Sequence, residues 1–251
     1  MPVILPIKKF LLNLIFPIQC INCNTPNKIL CTKCLKTIKP LDLQVCPYCE
    51  KSITLNGEVC NTCLEKLNPP IDRLIVIADY QEKLLSKAIH LFKYRFIKSL
   101  SEPLGILMVN NSQKLTIPTP DFILPIPLHP RRLRWRGFNQ AELLADTLAT
   151  NLLPGIEIPV IDNFVIRQRH TVPQKKVKNY KDRHQNLNNV FTPNYNFNWI
   201  NHNLKNENLT NKNILIVDDV TTTGATIFKF AKELKKLNPK SISAIVLGRQ
   251  H

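Results

Sequence analysis

Residues 214–226 read Ile-Leu-Ile-Val-Asp-Asp-Val-Thr-Thr-Thr-Gly-Ala-Thr, and no other stretch narrows the possible fold as far. Ile214–Val217 is a continuous run of β-branched residues and Leu, the pattern of a strand covered on both faces, as in a parallel sheet. Asp218 and Asp219 follow at its carboxyl end, where open α/β sheets place their ligands. Ionised carboxylates accept hydrogen bonds, and vicinal sugar hydroxyls donate them. Thr221, Thr222 and Thr223 add hydroxyls, and Gly224 lets the backbone turn tightly. Behind the turn, Ile227, Phe228, Ala231, Leu234 and Leu237 recur at helical spacing over Ala225–Leu237. The start of that helix offers free N–H groups and a partial positive charge to an anion. Asn238-Pro239 ends it, and Ile242–Leu247 reads as the next buried strand, so 214–247 has the length of a βαβ unit. Two acids beside an anion-binding turn suit a sugar phosphate. The plainer alternative is a solvated acid pair on an ordinary strand–turn–helix. No Gly-Lys-Ser/Thr triplet or three-glycine dinucleotide fingerprint occurs.

All 8 cysteines fall between 20 and 63 in Cys-x-x-Cys pairs: Cys20/Cys23, Cys31/Cys34, Cys46/Cys49 and Cys60/Cys63. A two-residue gap lets both thiolates reach one ion, so the pairs can complete two tetrahedral zinc sites. Sequential pairing gives a double zinc ribbon, and interleaved pairing stays open. A disulfide framework needs an oxidising compartment, which nothing here indicates. So short a segment buries little core, and metal ligation is expected to supply most of its folding energy. Closed sites of this kind hold shape and leave no position for a catalytic water.

The chain of 251 residues has room for one α/β domain and a small appendage. Its 34 basic against 18 acidic side chains give a formal charge of +16, which favours anionic partners without choosing among them. No apolar run approaches the roughly 18–20 residues of a membrane span, so no transmembrane segment is expected. Residues 3–18 are apolar, but Asn13 and Pro17 interrupt them and no small-residue cleavage site follows. They read as an amphipathic helix on the cysteine module rather than a signal peptide, with weak membrane-surface contact as the alternative.

Between these segments, 69–73 reads as a linker, Leu74–Tyr80 as a strand and Leu84–Tyr94 as an amphipathic helix. A second amphipathic helix is expected over 98–110, and Phe122–Pro127 as the first strand of the main sheet. Arg131, Arg132, Arg134 and Arg136 then crowd together before a helix over Ala141–Leu152. Arginine forks bind phosphate, and Trp135 and Phe138 offer stacking faces, so this stretch is a candidate ligand or nucleic-acid contact. A second basic stretch, 167–184, includes Lys175, Lys176, Lys178 and Arg183 and reads as a loop able to close over a ligand. Residues 192–213 read as an Asn-rich surface insertion pinned by Trp199. The scattered histidines read as surface or packing residues, His129 excepted because it sits beside the arginines.

The 214–226 segment resembles the phosphoribosyl pyrophosphate (PRPP) motif of type I phosphoribosyltransferases. That resemblance implies that Asp218 and Asp219 bind the ribose hydroxyls, as the catalytic acids of an active enzyme. It implies a PRPP cradle of Val220, Thr221, Thr222, Thr223, Gly224, Ala225 and Thr226, with Mg²⁺ on the pyrophosphate. The Cys20–Cys63 array, the stretch Leu124–Ala141, Pro173-Gln174 and 214–226 together resemble the ComF family (ComFC/GntX-like) of competence proteins over nearly the full length. The fold so implied is α/β: a type I phosphoribosyltransferase-like parallel sheet flanked by helices over 69–251, with a small zinc-ribbon module over 1–68. Pro127, Leu128, His129, Arg131 and Arg132 would form the pyrophosphate loop, and 167–190 the flexible loop. Lys175-Lys176-Val177 stands where family members carry a Thr-Gly-Leu-type run, and 192–213 is longer than the family pattern. The family implies a cytoplasmic protein that handles imported single-stranded DNA in natural transformation, with the import helicase and other competence proteins as partners. The alternative is an active phosphoribosyltransferase passing phosphoribose from PRPP to a base or other small acceptor. In a third reading the zinc module is a docking device on a degenerate scaffold.

Overall fold

The computed structural model describes residues 18–168, 190–194, 197 and 208–250. The apolar segment before Ile18, the basic loop with Lys175, Lys176, Lys178 and Arg183, and Trp199 lie outside them. In chain order the described elements are α1 (Thr32–Leu35), β1 (Gln44–Val45), β2 (Ile53–Thr54), α2 (Asn61–Lys66), β3 (Arg73–Asp79), α3 (Lys83–Tyr94), α4 (Ser101–Ser112), β4 (Phe122–Pro125), α5 (Pro130–Arg136), α6 (Gln140–Asn151), β5 (Val165–Arg167), β6 (Phe191–Pro193), β7 (Asn213–Thr221), α7 (Ala225–Lys235) and β8 (Ser241–Arg249). The main sheet is parallel throughout, in the order β3-β8-β7-β4.

Alternation along the strands sorts the core into two layers. Leu215, Val217, Ile245, Leu247, Ile75 and Ile77 face α3, α4 and α6. Ile214, Ile216, Ala244, Val246, Leu74 and Val76 face α7 and the β5–β6 hairpin. Both faces are covered, which is why the strands read as unbroken apolar runs.

Several sequence expectations shift. The sheet begins with β3, not with the strand at 122, and β4 stops at Pro125. The helix expected over 98–110 is a 3₁₀ turn, Lys98–Leu100, followed by α4. α4 is not amphipathic: it lies between α6 and the first cysteine knuckle, so apolar residues suit most of its faces. The expected linker is part of the body. Ile71 is fully buried, and the Val59 N–H donates to Asp72 O at 3.0 Å.

The cysteine module lies along the free edge of β3. The Leu41 N–H donates to Ile77 O at 2.8 Å. The buried Gln44 amide donates to Val76 O and accepts from Val76 N, both at 3.0 Å. One side chain thus satisfies both backbone groups of an edge residue that would otherwise stand ready to pair with another strand. Close by, Gly57 has φ +70°, and a Cβ there would come within 2.2 Å of Leu74 O, so only glycine lets the module lie this close. The first knuckle joins the main core through Leu30, Leu35 and Ile38.

Candidate functional site

The cysteines settle into sequential groups: Cys20, Cys23, Cys31 and Cys34 form one, and Cys46, Cys49, Cys60 and Cys63 the other. Within each, every sulfur lies within 4.8 Å of the others. The Cys23–Cys31 and Cys49–Cys60 sulfurs are 3.5 and 3.8 Å apart. A zinc tetrahedron with bonds of about 2.3 Å has an edge of about 3.8 Å, so the groups fit the ion. Their acidities agree. Cys49 is held down to about 6, first by the backbone N–H of Ser52. Cys63 is pushed up to about 12 by burial and then by its neighbouring thiols. Four thiols in contact cannot all ionise until a cation sits among them. These are structural zinc sites, closed by four sulfurs each.

β7 runs beyond the expected strand and carries Asp218 and Asp219 inside its last turn of pairing, ending at Thr221. Alternation points the two acids to opposite faces. Asp219 is buried, and Lys93 at the end of α3 meets its Oδ1 at 2.9 Å. Burial works against the Lys93 charge, but Asp219, with Asp218 behind it, outweighs that and holds Lys93 above its ordinary value. Asp218 is pushed up to about 7, first by burial and then by Asp219; Lys93 and Arg167 pull the other way. Burial, then Arg132, lowers Arg167 to about 10. Burial, then Arg136, lowers Arg132. The two carboxylates therefore sit in a mainly cationic setting, suited to a polyanion.

The turn after β7 is held from inside. The Gly224 N–H donates to the buried Thr221 Oγ1 at 3.1 Å. Gly224 has φ +77°, and a Cβ there would lie 2.5 Å from the Phe228 ring. No side chain caps α7, so its first N–H groups are left to water or an anion. Thr221 is buried, Thr223 exposed, and Val220, Thr222, Ala225 and Thr226 are half-buried around the turn. From outside, Arg249 of β8 donates through Nε to Thr222 O at 2.8 Å, while its Nη2 reaches Glu50 and Pro47 O of the second cysteine knuckle. Tyr48 of the same knuckle stacks on Phe228, with centroids 4.4 Å apart and planes 11° apart.

β4 leaves the sheet beside the acids, since Pro125 pairs with Val217 and the Ile126 N–H donates to Val217 O at 2.9 Å. Pro127, Leu128 and His129 therefore start next to Asp218, half-buried. The arginine stretch is a helix rather than a loop. His129 caps α5 by accepting from Arg131 N at 3.1 Å, Pro130 starts it, and Gly137 at φ +76° ends it. Arg131, Arg134 and Trp135 are exposed on it, and Arg132 and Arg136 half-buried. Phe138 offers no stacking face: it is buried against Phe92. Arg249 and Tyr48 carry no signal in the sequence. Lys93 shows there only as a charge at the end of an apolar helical stripe, and Arg167, expected to open the basic loop, instead ends β5 with its side chain buried.

Competence protein F of Haemophilus influenzae is 32% identical to this chain over 242 residues, 93% of this chain and 98% of that protein. The chain belongs to the ComF family. DNA utilization protein YhgH of Escherichia coli K12 is 30% identical over 88% of this chain and 90% of its own length. Competence protein ComFC of Bacillus subtilis is 26% identical over 89% and 85%. The phosphoribosyl transferase domain family matches residues 139–251, and the double zinc ribbon family matches 11–64. No helix among the described residues is long and apolar enough to cross a membrane.

Proposed function

We propose that this ComF protein binds PRPP at the turn between β7 and α7 and handles imported single-stranded DNA during natural transformation. One observation carries the reading. Two acids lie near the carboxyl end of an inner parallel strand, and the short turn after it leads into an uncapped helix N-terminus. Asp218 and Asp219 accept from the ribose hydroxyls, and Thr221–Thr226 hold the 5′-phosphate with backbone and hydroxyl donors. Pro127, Leu128, His129, Arg131 and Arg132 face the pyrophosphate. Two carboxylates, one committed to Lys93, are too few to cage an ion, which suits Mg²⁺ held mainly through ligand oxygens. Bound there, Mg²⁺ would neutralise pyrophosphate charge.

The DNA side of the reading draws on the names of the relatives, on the charge of +16 and on the basic helix α5, with Lys175, Lys176, Lys178 and Arg183 added from the sequence. In this reading 1–68 is a metal-stapled module on a transferase-like body, 69–251, and the protein works in the cytoplasm with the import helicase. Calorimetry with PRPP and Mg²⁺ tests the ligand half. One molecule should bind per chain, and Asp218→Asn with Asp219→Asn should abolish the heat. Equal heat from the variant counts against the site. For the DNA half, replacing Arg132, Arg134 and Arg136 with Ala should weaken single-stranded DNA binding. It should also flatten the salt slope by about 0.7 for each phosphate no longer neutralised.

A second reading, an active phosphoribosyltransferase, is favoured by Asp218 standing near 7, where a carboxyl exchanges protons readily. An acceptor would form a bond to ribose C1 as the C1–oxygen bond to pyrophosphate breaks, its proton passing to Asp218. Pyrophosphate release across a panel of bases, lost in Asp218→Asn, would favour it. No release with any base would favour a binding role.

A further inference from the structure

Three aromatic rings stand exposed where α3 ends beside α5: Trp135 at 57%, Tyr94 at 48% and Phe96 at 38%. They touch one another. Trp135 meets Phe96 edge-on at 5.2 Å between centroids and lies 6.3 Å from Tyr94. The Arg136 guanidinium sits 5.6 Å from the Tyr94 centroid and 5.9 Å from that of Trp135. Rings this large are ordinarily buried, and an exposed cluster of them marks an interaction surface. Phe96 sharpens the point. Its φ is +58°, a left-handed conformation that bulky residues avoid, and the chain holds it there with the residue partly exposed against Trp135. Phe96 stands one residue past the Arg95 cap, where a left-handed residue stops α3, and glycine or asparagine would do this with less strain.

The surroundings name the occupant. Arg95, Arg131 and Arg134 are exposed around the rings, and none of the residues 93–98 or 130–137 is acidic. A protein partner's apolar helix would find no use for that rim. A strand with flat bases and one phosphate per base matches both halves: rings for the bases and arginines for the backbone. The platform also adjoins the acids, because Lys93, the partner of Asp219, immediately precedes Tyr94.

We infer that Tyr94, Phe96 and Trp135 form a stacking platform for the unpaired bases of single-stranded DNA, with Arg136 tucked between the rings and the exposed arginines on the phosphates. This rests on the proposed DNA handling and adds where and how the strand is held. It selects single strands, because bases inside a duplex present no free faces.

The test uses the full-length zinc-loaded protein and fluorescence anisotropy with two labelled strands of equal length, oligothymidine and an abasic strand. The wild type should favour the base-bearing strand. Trp135→Ala or Tyr94→Ala should weaken oligothymidine binding about tenfold while leaving the abasic strand and the salt slope unchanged. Trp135→Phe should restore most of the preference. Both residues are surface-exposed, and unchanged circular dichroism will confirm that the variants fold. If the wild type binds both strands alike, or the aromatic variants bind oligothymidine normally, the platform is refuted while DNA handling stands. If the wild type binds neither strand at low salt, DNA handling itself fails. If free adenine displaces oligothymidine at micromolar concentration, the rings serve an acceptor base and the strand assignment is overturned.

Discussion

Lys93 keeps its charge in a partly buried position because Asp219 is 2.9 Å away. Removing the amine leaves two adjacent carboxylates with their nearest counter-ion gone. Lys93→Met should cost roughly 2–4 kcal/mol in denaturant unfolding, and adding Asp219→Asn should recover part of it. Asp218 behaves differently. Its folded value of about 7 lies above the ordinary carboxyl value of 3.8, so the native state holds the proton more tightly than the unfolded chain does. Its contribution to stability is therefore full below about pH 4 and is lost as pH rises to about 7. Asp218→Asn should melt above the wild type at pH 8, and the difference should vanish near pH 4 in thermal scans. At Gly224, the positive φ and the Phe228 ring both exclude a side chain. Gly224→Ala should destabilise by about 1–3 kcal/mol and weaken PRPP binding together, read by melting and by calorimetry.

Among elements, the second cysteine knuckle stands behind the candidate phosphate turn. Tyr48 backs Phe228, and Arg249 ties Thr222 to Pro47 and Glu50. Tyr48→Ala should cost about 3 kcal/mol and lower PRPP affinity without touching the acids. Unchanged affinity in a destabilised variant would mean the knuckle steadies the fold but not the turn. This packing was invisible in the sequence, because nothing local in Pro47-Tyr48 names a partner some 180 residues away. The β7–turn–α7 unit was legible because its pattern is local: an apolar run, two acids, a glycine turn and a helical stripe. Phe138 misled because it neighbours the arginines in sequence, yet Gly137 ends α5 and the chain turns inward before it. Tyr94 and Phe96, not Phe138, stand exposed beside Trp135, brought there by the way α3 meets α5. The segment over 69–73 looked like a linker because of its prolines, while its burial comes from the module lying on β3.

At the largest scale, the cysteine groups, the sheet edge and the candidate phosphate turn are linked by one chain of contacts among the described residues. The cysteine module seals the edge of β3 through Gln44, and its second knuckle reaches the turn through Arg249. Metal analysis should find two zinc ions per chain, falling to one in Cys20→Ser with Cys23→Ser. Pairing of the cysteines needed the structure, since spacing alone permits both arrangements. The central claim is that a sugar phosphate docks on the turn between β7 and α7. Hydrogen exchange of the amides over 222–227, with and without PRPP and Mg²⁺, examines that turn directly. The account predicts that these amides slow on ligand addition in the wild type and stay unchanged in Asp218→Asn/Asp219→Asn. Protection appearing elsewhere, with the 222–227 amides unaffected, would contradict it.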